Sequence, residues 1–143
     1  AKIHEGERGW HRMGDMGYLD EEGRLWFLGR KSHRVETGSE RLYPVACEAV
    51  FNEHPQVYRS ALVGIGERGA QTPAIVVEPL AGHFPRGAAA QASFREELTQ
   101  LAQAHEHTRG IGRFLFHESF PVDLRHNAKI RRGDLAQWAA GQR

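Results

Sequence analysis

Residues 57–80 read VYRSALVGIGERGAQTPAIVVEPL, two β-rich apolar runs joined by a glycine-rich connection. VYRSALVGIG and TPAIVVEPL predict strands, and Gly64 to Gln71 predicts the loop between them. Inside that loop, Gly64-Ile65-Gly66-Glu67-Arg68-Gly69 matches G-x-G-x-x-G. A dinucleotide-binding turn needs a helix to open at the third glycine, so that its N-terminal amides can hold a pyrophosphate. Here the next element is another β-rich run, so the motif reads as a flexible strand connection and not as a nucleotide fingerprint.

Outward from this pair the pattern alternates. On the N-terminal side, Pro44 suits a first helical position and VACEAVFNEH continues the helix, with Val45, Ala49 and Phe51 beside Ala46 and Val50 as its apolar stripe, ending before Pro55. Val35 and Leu42 flank Thr37-Gly38-Ser39-Glu40, which predicts a short hairpin between His33 and Tyr43. GYLD and RLWFLG flank Asp20-Glu21-Glu22-Gly23 and predict another. On the C-terminal side, residues 88–105 predict a helix with Phe94, Leu98 and Leu101 on one face. Phe114-Leu115-Phe116 predicts a third core strand. Gly133 to Ala140 predicts a closing helix with Leu135 and Trp138 turned inward. The fold class expected is α+β, a small mixed sheet of about three strands plus short β-hairpins, flanked by helices.

With 143 residues, 40% hydrophobic and 26% charged, the chain suffices for one core rather than two full domains. Nineteen Lys+Arg against 18 Asp+Glu leave a net charge of +1, which argues against nucleic acid or an anionic membrane as partner. Arg131 and Arg132 beside Lys129 are too small a basic cluster to alter this. Cys47 is the single cysteine, which excludes an internal disulfide framework and suits a buried small hydrophobe. The apolar stretch Pro73 to Leu80 is interrupted by Glu78 and is too short to span a bilayer, and the opening AKIHEGERGW has no signal core. The expectation is a cytoplasmic protein that is not transmembrane. Opening without Met inside polar, turn-rich sequence suggests a piece of a longer chain. His105-x-His107 has no third ligand at zinc-type spacing and reads as a polar helix end, so no metal ligand is expected within the chain.

Three segments carry chemistry when taken together. They are Trp10-His11-Arg12-Met13-Gly14-Asp15-Met16-Gly17-Tyr18; Gly29-Arg30-Lys31-Ser32 continuing through Thr37-Gly38-Ser39-Glu40-Arg41-Leu42-Tyr43-Pro44 to Glu48; and Pro121-Val122-Asp123-Leu124-Arg125-His126-Asn127-Ala128-Lys129-Ile130-Arg131-Arg132. In this order and spacing they resemble the last three signature motifs of the adenylate-forming superfamily, which includes acyl-CoA synthetases, nonribosomal peptide synthetase adenylation domains and luciferase. The resemblance runs from about residue 9 to 138. It implies the small C-terminal lid domain of an AMP-forming acid ligase, with residues 1–30 as the tail of the large N-terminal domain with the hinge and 31–143 as the mobile lid.

The resemblance also implies roles. Asp15 matches the carboxylate that holds the ribose of ATP; its other reading is a turn Asp capping local amides. Arg30 matches an arginine that contacts nucleotide hydroxyls or phosphate, as a multidentate donor can; its other reading is a surface ion pair. Ser32 stands where the family usually carries Asp or Lys as the pivot of domain rotation, a small polar residue in place of a charged one. Arg41 matches a basic residue that approaches the nucleotide phosphate, and is alternatively a solvated hairpin Arg. Lys129 matches the lysine inserted between the substrate carboxylate and the α-phosphate of ATP. Two anions meet there, and a desolvated ammonium offsets their repulsion. Two unit charges about 4 Å apart interact by roughly 4 kcal/mol at an effective dielectric of about 20. By itself LRHNAKIRR reads as a polar loop. Ala128 replaces the glycine the family more often shows before this lysine, and the preceding RHN lengthens the loop.

Within the superfamily, WHRMGDMGYLDEEGRLWF and DLRHNAKIRR look most like the β-lactone-forming branch of bacterial long-chain olefin biosynthesis. That branch implies ATP and Mg²⁺, a 2-alkyl-3-hydroxyalkanoate substrate, the substrate's own β-hydroxyl as acceptor, and other olefin-pathway enzymes as partners. The alternative within the family is a long-chain fatty acyl-CoA or acyl-AMP ligase. The alternative of another class is a non-catalytic protein-binding module.

Overall fold

The computed structural model describes residues 15–19, 25–30, 33–123 and 129–142, by backbone alone for 15–19, 25–30, 123 and 129. At its centre lies a three-stranded sheet. Strands β5 (Val57–Ile65) and β6 (Thr72–Pro79) pair antiparallel, from Val57 opposite Pro79 to Ile65 opposite Thr72. Strand β7 (Arg113–Phe116) pairs parallel to β6, from Ala74 opposite Arg113 to Val77 opposite Phe116. Parallel neighbours need a crossover, and helix α2 (Gly87–Gln103) with a 3-10 turn at Glu106–Thr108 supplies it.

The middle strand explains the fold. Alternate residues of β6 enter opposite layers, which is why AIVV is an unbroken apolar run and not an alternating one. Ile75 and Val77 join Phe51, Leu62, Phe94, Leu98 and Phe114 beneath helices α1 (Pro44–Phe51) and α2. Ala74 and Val76 join Ala61, Val63, Leu115, Phe120 and Leu135 beneath helix α3 (Arg132–Ala140). Trp138 packs against this second layer, 4.6 Å from the His117 ring, as the inward-facing reading of α3 requires.

Three two-stranded hairpins surround the sheet among the described residues: β1 (Asp15–Leu19) with β2 (Leu25–Arg30), β3 (Val35–Glu36) with β4 (Arg41–Leu42), and β8 (Val122–Asp123) with β9 (Lys129–Ile130). The α+β expectation and its three-stranded mixed sheet hold. The G-x-G-x-x-G stretch links β5 to β6 with Gly66 and Gly69 at φ +103° and +94°, and no helix opens there.

Three details differ from expectation. On α1 the buried residues are Pro44, Cys47, Glu48, Val50 and Phe51, while Val45 and Ala49 face out. The helix is rotated because Glu48 is drawn inward by polar partners that its sequence neighbours do not reveal. Helix α2 stops at Gln103, two residues before His105, where Thr108 Oγ1 donates to the Ala102 carbonyl at 2.8 Å and turns the chain. The segment expected as a polar loop around Lys129 contains the β8–β9 ladder. Among the described residues no helix is long and apolar enough to cross a membrane.

Candidate functional site

The expected site residues fall on three hairpins. Asp15 and Arg30 are directly opposed at the open end of β1–β2, with a bulge beginning after Met16. The ladder thus sets two expected nucleotide contacts opposite each other. Arg41 opens β4 opposite Glu36; its side chain is 62% exposed, and its Nε lies 3.9 Å from Glu36 Oε2. Lys129 begins β9 opposite Asp123. Ser32 lies outside the described residues, as do residues 10–14 of the first motif, Lys31 of the second and 124–128 of the third.

Charge gathers around Glu36. Its carboxylate accepts from Arg68 Nη1 at 3.1 Å and from Arg34 Nε at 3.4 Å, and its backbone N–H donates to Gln71 Oε1 at 2.9 Å. The Arg68 hydrogen bond, with Arg34 beside it, holds the Glu36 carboxyl below its ordinary pKa of 4.5. The Glu36 carbonyl accepts from the Gly69 and Gln71 amides, so the β3–β4 hairpin is tied to the β5–β6 loop. Next to this junction a groove of about 220 Å³ opens between residues 33–35, β5 and α3. Its lining mixes the polar side chains of His33, Arg34, Arg68, Gln71 and Arg132 with apolar Val35, Leu62, Val63 and Ala136.

The segment bearing Lys129 is fastened at both feet. At its entry, Glu78 on β6 accepts through one oxygen from the Phe120 backbone N–H at 2.7 Å and from Arg59 Nε at 2.8 Å. The Arg59 guanidinium also lies 5.3 Å from the Phe120 ring centroid. At its exit, Arg132 donates to Glu48 Oε2 at 2.6 Å and to Glu48 Oε1 at 2.9 Å. Glu48 Oε2 accepts in addition from the Leu62 amide at 2.8 Å. The feet are tied to each other, since the Arg131 N–H donates to the Pro121 carbonyl at 2.8 Å.

Glu48, Glu78 and Arg59 were not singled out by sequence reasoning. A signal existed: Glu48 interrupts the apolar side of α1 and Glu78 the apolar run of β6, and carboxylates in such places need partners. Cys47 is buried as expected, and burial pushes its thiol up to about 12. His107 Nε2 meets the Ala46 carbonyl at 3.0 Å, which ties the 3-10 turn to α1. Among the described residues no group of three His, Cys, Asp or Glu side chains is arranged to hold a metal ion.

No family model matches the chain. Over its whole length it is 55% identical to an olefin β-lactone synthetase from Xanthomonas campestris pv. campestris, of which it spans 26%. It is 49% identical over 92% of its length to the olefin β-lactone synthetase of Stenotrophomonas maltophilia, spanning 23% of that protein. A 2-succinylbenzoate–CoA ligase from Geobacillus kaustophilus is 40% identical over 64% of the chain and 19% of its own length. Among solved structures, the amide bond synthetase McbA from Marinactinospora thermotolerans superposes with a TM-score of 0.71 and 26% identity over 96% of this chain and 26% of that one. An o-succinylbenzoate CoA synthetase from Bacillus subtilis, in complex with its acyl-adenylate intermediate, gives 0.67 and 27% over 86% and 23%. In sequence and in fold, the chain is similar to the C-terminal domain of adenylate-forming ligases, and it spans about a quarter of the length of the relatives it matches.

Proposed function

We propose that this chain is the C-terminal part of an ATP-dependent carboxylate-activating ligase that closes β-lactones from 2-alkyl-3-hydroxyalkanoates in cytoplasmic olefin biosynthesis. The observation that carries this reading is the 55% identity to an olefin β-lactone synthetase across the entire chain, against 40% over 64% of it for a CoA ligase. Residues 1–30 are the tail of a large domain with the hinge, 31–143 the lid, and Ser32 the pivot. The large domain is the lid's first partner, and other olefin-pathway enzymes are further ones.

In the first step a substrate carboxylate oxygen attacks the α-phosphorus of ATP, the α–β anhydride breaks and diphosphate leaves. Lys129 is the catalytic residue, its ammonium offsetting the charge of the two converging anions. Asp15 accepts hydrogen bonds from the ribose hydroxyls, Arg30 binds nucleotide hydroxyls or phosphate, and Arg41 approaches the phosphate from an exposed hairpin. In the second step the β-hydroxyl oxygen attacks the acyl carbonyl, AMP leaves, and the hydroxyl proton is lost as the four-membered ring closes. Mg²⁺ neutralises the diphosphate when bound. The described residues of this chain offer it no cluster of ligands.

The test is to give the intact ligase ATP and a 2-alkyl-3-hydroxy acid, with and without CoA, and to identify products by mass. A β-lactone and AMP formed without CoA are expected. A thioester formed only with CoA would replace this reading with an acyl-CoA ligase. Lys129→Ala is expected to abolish adenylation while leaving a supplied acyl-adenylate usable.

A further inference from the structure

We infer that Glu48 with Arg132, and Glu78 with Arg59, are positioning residues for Lys129, two anchors that fix the feet of the β8–β9 hairpin. The inference rests on the catalytic reading of Lys129. Its own basis is the arrangement of polar contacts at the ends of a very short ladder.

Val122 opposite Ile130 and Asp123 opposite Lys129 are the ladder's pairs. A hairpin this small has marginal stability of its own, so its position must come from what holds its ends. At the entry, Phe120 is 3% exposed and its N–H is bound to Glu78. At the exit, Ile130 and Arg131 alone separate Lys129 from Arg132 in sequence. Arg132 is planar and donates through both terminal nitrogens to the two oxygens of Glu48. A two-pronged pair fixes orientation as well as distance, which an apolar contact does not.

Both anchoring carboxylates belong to the rigid body of the domain. Glu48 is on α1 and also binds the Leu62 amide of β5; Glu78 is on the central strand. Each is mostly buried, 8% and 7% exposed, where an ion pair adds little stability over a hydrophobic pair, so its contribution here is directional. The main-chain bond from Arg131 to Pro121 holds the two feet together. The start of β9 is therefore referenced to two layers of the fold at once. A lysine that must reach between two reacting anions requires that reference, because small displacements of a catalytic group are costly in rate.

The experiment uses the intact ligase with Arg132→Met, Arg132→Lys, Glu78→Gln and Lys129→Ala. Four quantities are read: carboxylate-dependent ATP–diphosphate exchange, conversion of a supplied acyl-adenylate, amide hydrogen exchange across residues 122–130, and thermal melting. Arg132→Met is expected to lower kcat of the exchange reaction by about 10- to 100-fold, with KM for ATP changed by less than about two-fold. Conversion of supplied acyl-adenylate should stay at the wild-type level, and amide exchange across 122–130 should quicken. Arg132→Lys, which retains a donor, should recover part of kcat.

Wild-type exchange kinetics in Arg132→Met, or an equal loss in both half-reactions, would overturn the inference. Should Arg132→Met fail to fold, Glu78→Gln decides. It keeps an acceptor for the Phe120 amide, gives up the carboxylate charge that faces Arg59, and is expected to show the same one-sided loss at smaller size; a symmetric loss or none sinks the idea. Lys129→Ala separates the two levels. If it leaves adenylation intact, the catalytic reading itself fails; if it abolishes adenylation while Arg132→Met does not reduce it, the positioning inference alone fails.

Discussion

Glu48 and Arg132, 84 residues apart in sequence, face each other through two hydrogen bonds of 2.6 and 2.9 Å with side chains only 11% and 17% exposed. Removing one partner strands the other charge in a site that water barely reaches. Glu48→Ala or Arg132→Met is therefore expected to destabilise the fold by about 3–5 kcal/mol in denaturant titrations. The double change Glu48→Leu/Arg132→Met should cost much less than the sum of the singles. Additive losses would show that the pair is not coupled.

The rotation of α1 and the seating of α2 give a paired prediction on packing. Leu98 is fully buried between α2 and the sheet, so Leu98→Ala should cost about 2–5 kcal/mol through lost contacts and a residual cavity. Val45, on the outward side of α1 at 38% exposure, should tolerate alanine within about 0.5 kcal/mol. Equal losses would put Val45 back on the buried stripe.

Glu36 makes the β3–β4 junction acid-sensitive. Its folded pKa is lowered by Arg68 and Arg34, so its contribution is present above the ordinary carboxylate value of 4.5 and is lost as pH falls through the lower folded value. Unfolding curves of the wild type and Glu36→Gln, compared from neutral pH downward, should converge below that window. A stability difference that persists unchanged in strong acid would remove Glu36 from this role.

Cys47 behaves in the opposite sense at alkaline pH. Burial raises its folded pKa from 9.0 to about 12, so its contribution is intact below pH 9.0 and is lost as pH climbs toward the folded value. In the native state at pH 8 its thiol should resist a disulfide reagent, and it should react fully once denaturant is added. Rapid native labelling would mean that the α1 layer opens readily.

Much of this fold was legible because it depends on local pattern. Val35 and Leu42 are register partners of β3–β4, as their placement around Thr37 to Glu40 predicted. The two runs at 57–80 pair as a hairpin, and Pro44 begins α1. The phase of α1 was not legible, because its inward side contains Glu48, whose partner Arg132 lies in another motif far along the chain. Nor was the β8–β9 ladder, whose two-residue strands carry too few side chains to show a period of two. For the site, the hairpin was legible but its register was not, because the shift between Met16 and Gly17 is what sets Asp15 opposite Arg30. The anchors of the Lys129 segment required three-dimensional information, since Glu78 and Phe120 are 42 residues apart.

The topology around β6 has a kinetic consequence. Its antiparallel partner β5 arrives through a short glycine-rich connection, a local closure with a small entropic cost. Its parallel partner β7 arrives only after α2 has crossed the sheet, a contact of much greater sequence separation. Refolding should thus be paced by the docking of Arg113–Phe116, and the β5–β6 pair is the element around which the remainder condenses.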